Sequence, residues 1–223
     1  MASLLDGPRL APAAGGAAKQ LVVFLHGYGA DGNDLIALGR EWARVLPHAA
    51  FVSPHAPEPC SIAPMGRQWF NFTFRDPSEI ARGVAKAGPM LDAFLDAELK
   101  RHNLSSRALG LVGFSQGTMM ALAVGLKRHP APAAIVGYSG ALAMVEALPA
   151  EPGSAPAVLL VHGDMDEVIP VDAMLIAREQ LAQAGITVEW HISQGIGHGI
   201  DGEGLRLGGE FLKQAFAAAT TVR

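Results

Sequence analysis

The sequence predicts an α/β fold, a mainly parallel central sheet flanked by helices, and three observations carry that expectation. Short apolar runs end in glycine-rich turns and alternate with longer segments at helical spacing, the pattern of repeated βα units. The runs are continuous hydrophobes rather than alternating ones, as strands buried on both faces require. Of the 223 residues, 50% are hydrophobic and 17% charged, the balance of a globular protein rather than a disordered or coiled-coil chain. A chain of this length buries roughly 70% of its unfolded surface, so a single domain over 1–223 is expected, with 1–18 as a candidate mobile segment before the first core strand.

The expected strands are Leu21–Leu25, Ala50–Val52, Leu109–Phe114, Ala134–Tyr138, Val158–Val161 and Val188–Ile192. Helices fill most of the intervals: Asp34–Leu46, opened by a capping signal at Asn33 and Asp34; Ser78–Leu99; Gln116–Arg128, stopped by Pro130; Val171–Ala184, stopped by Gly185; and Glu203–Ala219. One stretch breaks the alternation. Ser53–Pro77 is rich in proline and aromatics and far longer than an ordinary strand-to-helix connection of about 2–6 residues.

Charge and cysteine usage exclude several classes of function. A net charge of −4 with no Lys/Arg cluster leaves no electrostatic footprint for nucleic acid or an anionic membrane, so the expected partner is a small, weakly charged molecule. Cys60, the single cysteine, excludes an internal disulfide framework and points to a cytoplasmic location. No signal peptide and no apolar run long enough to span a bilayer is read, so no integral membrane association is expected. The apolar long loop makes a homodimer an open expectation.

Chemistry concentrates in three places. Gly113-Phe114-Ser115-Gln116-Gly117 lies directly after an apolar strand and directly before an amphipathic helix, where a sharp turn exposes a serine and small residues must give it room. Ser115 as no more than a cap for the following helix is the bland alternative. A serine hydroxyl is a weak nucleophile, so it needs a base, and the base needs an orienting acid. Downstream, the strand Val158–Val161 runs into His162-Gly163-Asp164-Met165-Asp166-Glu167-Val168-Ile169-Pro170, and Gly197-His198-Gly199 follows the strand Val188–Ile192. The chain order of nucleophile, acid and histidine is therefore available from Ser115, Asp166 and His198. Position alone also allows Asp164, which fits better as a turn residue bonding loop amides.

Acyl transfer also requires amide donors for a developing oxyanion. The amide of Gln116, at the start of its helix, and that of Tyr28, in His26-Gly27-Tyr28-Gly29, are the candidates; a tight turn alone also accounts for the two glycines. His26 and His162 both end strands and precede glycines, which suits buried hydrogen bonds that shape the site. In the long loop Ile62, Met65, Trp69 and Phe70 are candidate substrate contacts, with core packing the competing role, and Phe70 to Phe74 can run as a short extended segment. No metal-ligand spacing is present, and no cofactor is expected.

Those motifs, with Leu25-His26-Gly27-Tyr28-Gly29-Ala30-Asp31-Gly32, make the chain resemble, from about Leu21 to Phe216, the bacterial carboxylesterase/phospholipase family of α/β-hydrolases, the branch similar to acyl-protein thioesterases. The resemblance implies an α/β-hydrolase fold without a large lid domain, a triad of Ser115, Asp166 and His198, and oxyanion donors at Tyr28 and Gln116. Three positions depart from the family pattern. Tyr28 stands where leucine is common, Thr118 where glycine follows the elbow, and Asn71 where the Trp69-Phe70 motif ends in aspartate. The expected activity is hydrolysis of short- to medium-chain carboxylic esters through an acyl-enzyme on Ser115. A thioesterase or lysophospholipase with the same triad, and a catalytically silent binding homologue on the same scaffold, are the competing readings.

Overall fold

The computed structural model describes residues 5–71, 73, 76, 78–143 and 155–221. In chain order the strands are β1 (Arg9–Leu10), β2 (Gln20–Leu25), β3 (Ala49–Val52), β4 (Glu58–Cys60), β5 (Ala63–Gln68), β6 (Leu109–Phe114), β7 (Ala134–Tyr138), β8 (Ala157–Gly163) and β9 (Val188–Ser193). Seven form one sheet in the order β1-β3-β2-β6-β7-β8-β9, parallel except for β1, and β4 and β5 pair as a separate antiparallel hairpin. The helices are α1 (Gly32–Trp42), α2 (Ser78–His102), α3 (Gln116–Gly125), α4 (Asp172–Gln183) and α5 (Gly202–Thr221). This is the architecture of an α/β-hydrolase, and among the described residues no large lid stands over the sheet.

The two-residue period of β2 shows why its sequence is apolar throughout. Leu21, Val23 and Leu25 join one buried cluster with Leu91, Phe94 and Leu95 of α2 and Met174 and Leu181 of α4. Val22 and Phe24 join the other, with Leu35 and Trp42 of α1 and Phe211 and Phe216 of α5. The central helix α3 has no solvated stripe: all of its residues from Gln116 to Gly125 are buried, which explains its run of Met, Ala, Leu and Val.

Several expectations shift. Helix α1 starts at Gly32, two residues early, because Asp31 is the cap: its side chain accepts the amide of Asn33 at 2.7 Å. Helix α3 ends at Gly125 rather than Arg128, and α2 runs on to His102. The segment before the first core strand makes long-range bonds. Ala14 donates to the carbonyl of Pro47 at 2.9 Å, and Arg9 of β1 forms an ion pair with the buried Glu98 of α2 at 2.8 Å. The long loop contains the hairpin β4–β5, which the sequence reading lacked; Phe72 and Phe74 lie outside the described residues.

Candidate active site

The carboxyl ends of β2, β6, β8 and β9 deliver Gly27-Tyr28, Ser115, Asp166 and His198 to one edge of the sheet, where parallel α/β sheets hold their sites. Ser115 caps α3 with φ 55° and ψ −116°, a left-handed conformation that costs a side-chain-bearing residue on the order of 1–3 kcal/mol. The surrounding packing enforces it. A Cβ on Gly117 would overlap the carbonyl of Leu25 at the end of β2, and one on Gly113 would overlap the backbone of Gly117 itself. The amide of Ser115 is held by the carbonyl of Tyr138 at 2.9 Å. Thr118 keeps the turn closed: its hydroxyl lies 2.8 Å from the carbonyls of both Gly113 and Tyr138.

The acid arm is built differently. The Asp166 side chain is fully buried, with three N–H donors and the edge of a second imidazole around it. Oδ1 accepts the amides of Val168 and Ile169, each at 2.9 Å; Oδ2 accepts Nδ1 of His198 at 2.7 Å and faces Nε2 of His162 at 3.2 Å. Burial alone would push this carboxyl up, but the bonds from His198 and the two amides outweigh it and hold it below its ordinary value. Asp164 points elsewhere, accepting the amide of Gly195 at 2.6 Å, the turn role expected of it. Gly163 lets this turn nest against the histidine loop, since a Cβ there would overlap the carbonyls of Ile196 and Gly197.

His198 is partly exposed and stacks obliquely on Phe114, the neighbour of Ser115, with ring centroids 4.9 Å apart. With its proton on Nδ1, facing Asp166, the neutral ring presents an Nε2 lone pair, the arrangement a general base requires. Its loop is further held by Ser139, a second left-handed residue (φ 46°), whose hydroxyl donates to the carbonyl of Gly199 at 3.2 Å.

The loop after β2 packs hard against the elbow. A Cβ on Gly27 would sit 3.2 Å from that of Ser115. His26 fixes the loop from inside, its Nδ1–H donating to the carbonyl of Gly27 at 2.8 Å and its Nε2 accepting the amide of Ala56 at 3.0 Å. Burial pushes this imidazole down to about 4, so it stays neutral. From outside, β5 docks on the same loop through Gly29 N to Arg67 O (2.9 Å) and Arg67 N to Ala30 O (2.7 Å). Two of the departures from the family pattern meet here, the Tyr28 hydroxyl donating to Asn71 Oδ1 at 3.3 Å. The backbone amide of Gln116, first in α3, has no carbonyl one turn back. Its buried side chain is engaged with the long loop, accepting from Trp69 N at 2.8 Å and donating to Phe70 O at 2.7 Å.

The expected substrate contacts are the part that needs correction. Trp69 and Phe70 belong to the core: Trp69 is 0% and Phe70 2% exposed, the indole N–H donates to the carbonyl of His26 at 3.0 Å, and the Phe70 ring occupies the space a Cβ on Gly83 would take. Ile62 and Met65 are at the other extreme, 77% and 90% exposed beside the hairpin turn. One residue that holds the site was not singled out in the sequence, Ser139, which nothing but its place after a strand marks; His162, read there as a residue for buried hydrogen bonds, bonds the carbonyl of Ile169 and lies beside Asp166. Among the described residues no group of three or more His, Cys, Asp or Glu side chains is placed to hold a metal ion, and no helix is long and apolar enough to cross a membrane.

Comparison with known proteins places this geometry among esterases. Residues 12–216 match the family model described as Phospholipase/Carboxylesterase. The chain is 30% identical to the esterase YpfH of Escherichia coli over 200 residues, 88% of this chain and 83% of that protein. It is 28% identical to acyl-protein thioesterase 1 of Gibberella zeae, over 87% of this chain and 91% of that one. Among solved structures, esterase PE8 superposes with a TM-score of 0.89 at 42% identity, covering 96% of this chain and all (100%) of the other. The acyl-protein thioesterase 2 of Zea mays shares the fold, with a TM-score of 0.71 at 23% identity over 95% and 99% of the two chains.

Proposed function

The chain belongs to the phospholipase/carboxylesterase family of ester-hydrolysing enzymes, and from that premise we propose that it is a serine carboxylesterase working through an acyl-enzyme on Ser115. The observation that carries this reading is the 2.7 Å bond from His198 Nδ1 to the buried Asp166, beside a serine held in a strained left-handed turn. In the proposed reaction Ser115 Oγ attacks the ester carbonyl while His198 Nε2 takes its proton, and the same proton passes to the departing alcohol. Water, deprotonated by His198, then hydrolyses the acyl-enzyme and returns Ser115. The amides of Tyr28 and Gln116 receive the oxyanion, and Asp166 holds the imidazole in the required tautomer and stabilises its positive charge in the transition state.

Short- to medium-chain esters are the proposed substrates: among the described residues no large lid encloses a long chain, and the loop after β2 carries the bulky Tyr28 where the family pattern has leucine. A thioesterase reading has its own support in the relative named acyl-protein thioesterase 1, and it uses the same groups with a thiol departing. A fluorophosphonate probe tests the nucleophile, and p-nitrophenyl esters and acyl thioesters of increasing length, read in the same preparation, test the range. Covalent labelling at Ser115, absent from folded Ser115→Ala, and higher kcat/KM for butyryl than for palmitoyl esters are expected. Unaltered labelling and turnover in Ser115→Ala would remove the reading; failure to label at all would favour a silent binding homologue.

A further inference from the structure

His162 stands at the end of β8, four residues before Asp166, and is 1% exposed. Its Nε2 lies 2.8 Å from the carbonyl of Ile169 and 3.2 Å from Asp166 Oδ2. A carbonyl only accepts, so Nε2 carries the proton and donates it to Ile169, with the carboxylate of Asp166 packed against the same edge of the ring. The amide of Ile169 donates back to Asp166 Oδ1 at 2.9 Å. The turn 163–169 is thus closed around one imidazole rooted in the sheet, and Oδ2 sits between two histidines.

We propose that His162 is a positioning residue for the reaction: its ring, bonded to the carbonyl of Ile169 and packed 3.2 Å from Oδ2, fixes the carboxylate of Asp166 in the orientation that receives His198 Nδ1–H and anchors its turn to β8. The inference rests on the reading of Ser115, His198 and Asp166 as a triad. Backbone amides hold Oδ1 alone, so without His162 the carboxylate is free to pivot about that atom and Oδ2 to swing away from His198. Loss of the imidazole donor is therefore expected to lower kcat and leave substrate binding alone, since no part of His162 reaches the surface. Gln extends an N–H to about the place of Nε2, whereas the shorter Asn does not reach and Leu has no donor.

The test compares His162→Gln, His162→Asn and His162→Leu with wild type and Asp166→Asn, in thermal melts, ester kinetics and proton NMR of the low-field His198 Nδ1–H. The expected result is a kcat loss of about tenfold to a hundredfold in Asn and Leu, misplacement of about 1 Å being enough for the larger figure. KM should stay within about twofold, the low-field resonance should move or broaden, and Gln should recover most of both. If Leu does not fold, the Asn and Gln pair carries the comparison. Wild-type kcat in folded His162→Asn with Asp166→Asn inactive would overturn the proposal alone. Wild-type kcat in Asp166→Asn would overturn the triad and the proposal together.

Discussion

The two halves of the site are held by different physics. Around Ser115 the constraint is steric: Gly113 and Gly117 are in van der Waals contact with backbone on all sides, and the strained serine has no other place to go. Around Asp166 and His198 it is directional. Gly199, next to His198, has open space where a Cβ would go, and the carboxylate is instead fixed by three N–H groups and the nearby His162 ring. The elbow should therefore tolerate no added atom, while the acid arm, apart from the packed Gly163, should tolerate changes of shape at its open positions such as Gly199 and fail when a donor or acceptor changes character.

The strongest way to break this contrast is Gly117→Ala. The added methyl meets the Leu25 carbonyl, backbone of the central strand that cannot yield, so soluble folded protein should be lost, whereas Gly199→Ala should express and melt like wild type. Equal melting temperatures for the two would show that the elbow is not sterically closed.

Next in size is the pair of neighbouring aspartates. Asp166→Asn keeps the shape but replaces an oxygen in a shell of donors with an amide, and kcat should fall roughly 10³ to 10⁴-fold with the fold retained. Asp164→Asn keeps the oxygen that accepts Gly195 N and should leave most of kcat. A greater kcat loss in folded Asp164→Asn would exchange their roles.

A smaller effect sharpens the directional side through His26. Its folded value of about 4 lies below the ordinary 6.5 of the unfolded chain. Between the two the unfolded state binds more protons, so this contribution is complete above pH 6.5 and is lost as pH falls towards 4, a drop of about 3 kcal/mol at about 1.36 kcal/mol per unit. Urea denaturation across that range should show it, and His26→Gln should flatten it. An unchanged slope in the variant would mean that His26 is not the titrating group.

Much of this arrangement was legible in the sequence because it follows from composition over a few residues. Most of the parallel strands could be read because they are apolar on both faces, the edge strand β9 with its exposed Glu189 and Trp190 being the exception, and Ser115, Asp166 and His198 because each lies in a turn of small or polar residues after a strand. Asp31 was missed as a cap because Asn33 and Asp34 offer the same chemistry two residues on, and only the backbone distinguishes them. The hairpin was missed for a deeper reason. Glu58–Cys60 and Ala63–Gln68 contain two prolines and neither alternation nor β-branched residues, so their pairing reflects tertiary bonds from Arg67 to Gly29 and Ala30 rather than local preference. Trp69 and Phe70 stood out as aromatics, but a hydrophobic ring beside a site and one under it read alike until the neighbours Gly83 and His26 are placed.

The way that hairpin is fastened has an evolutionary consequence. Its two feet are bonded to residues that flank the candidate nucleophile loop and helix: Ala56 to His26, Trp69 to Gln116, and Arg67 to Gly29, Ala30 and the carbonyls of Ala56 and Pro57. Its tip, Ser61–Met65, contains no buried residue. Selection can therefore lengthen, shorten or recolour the tip while the feet keep their register, leaving the backbone at Tyr28 and Gln116 undisturbed. The tip is a cassette in which lineages can trial new recognition surfaces without risking the machinery beneath.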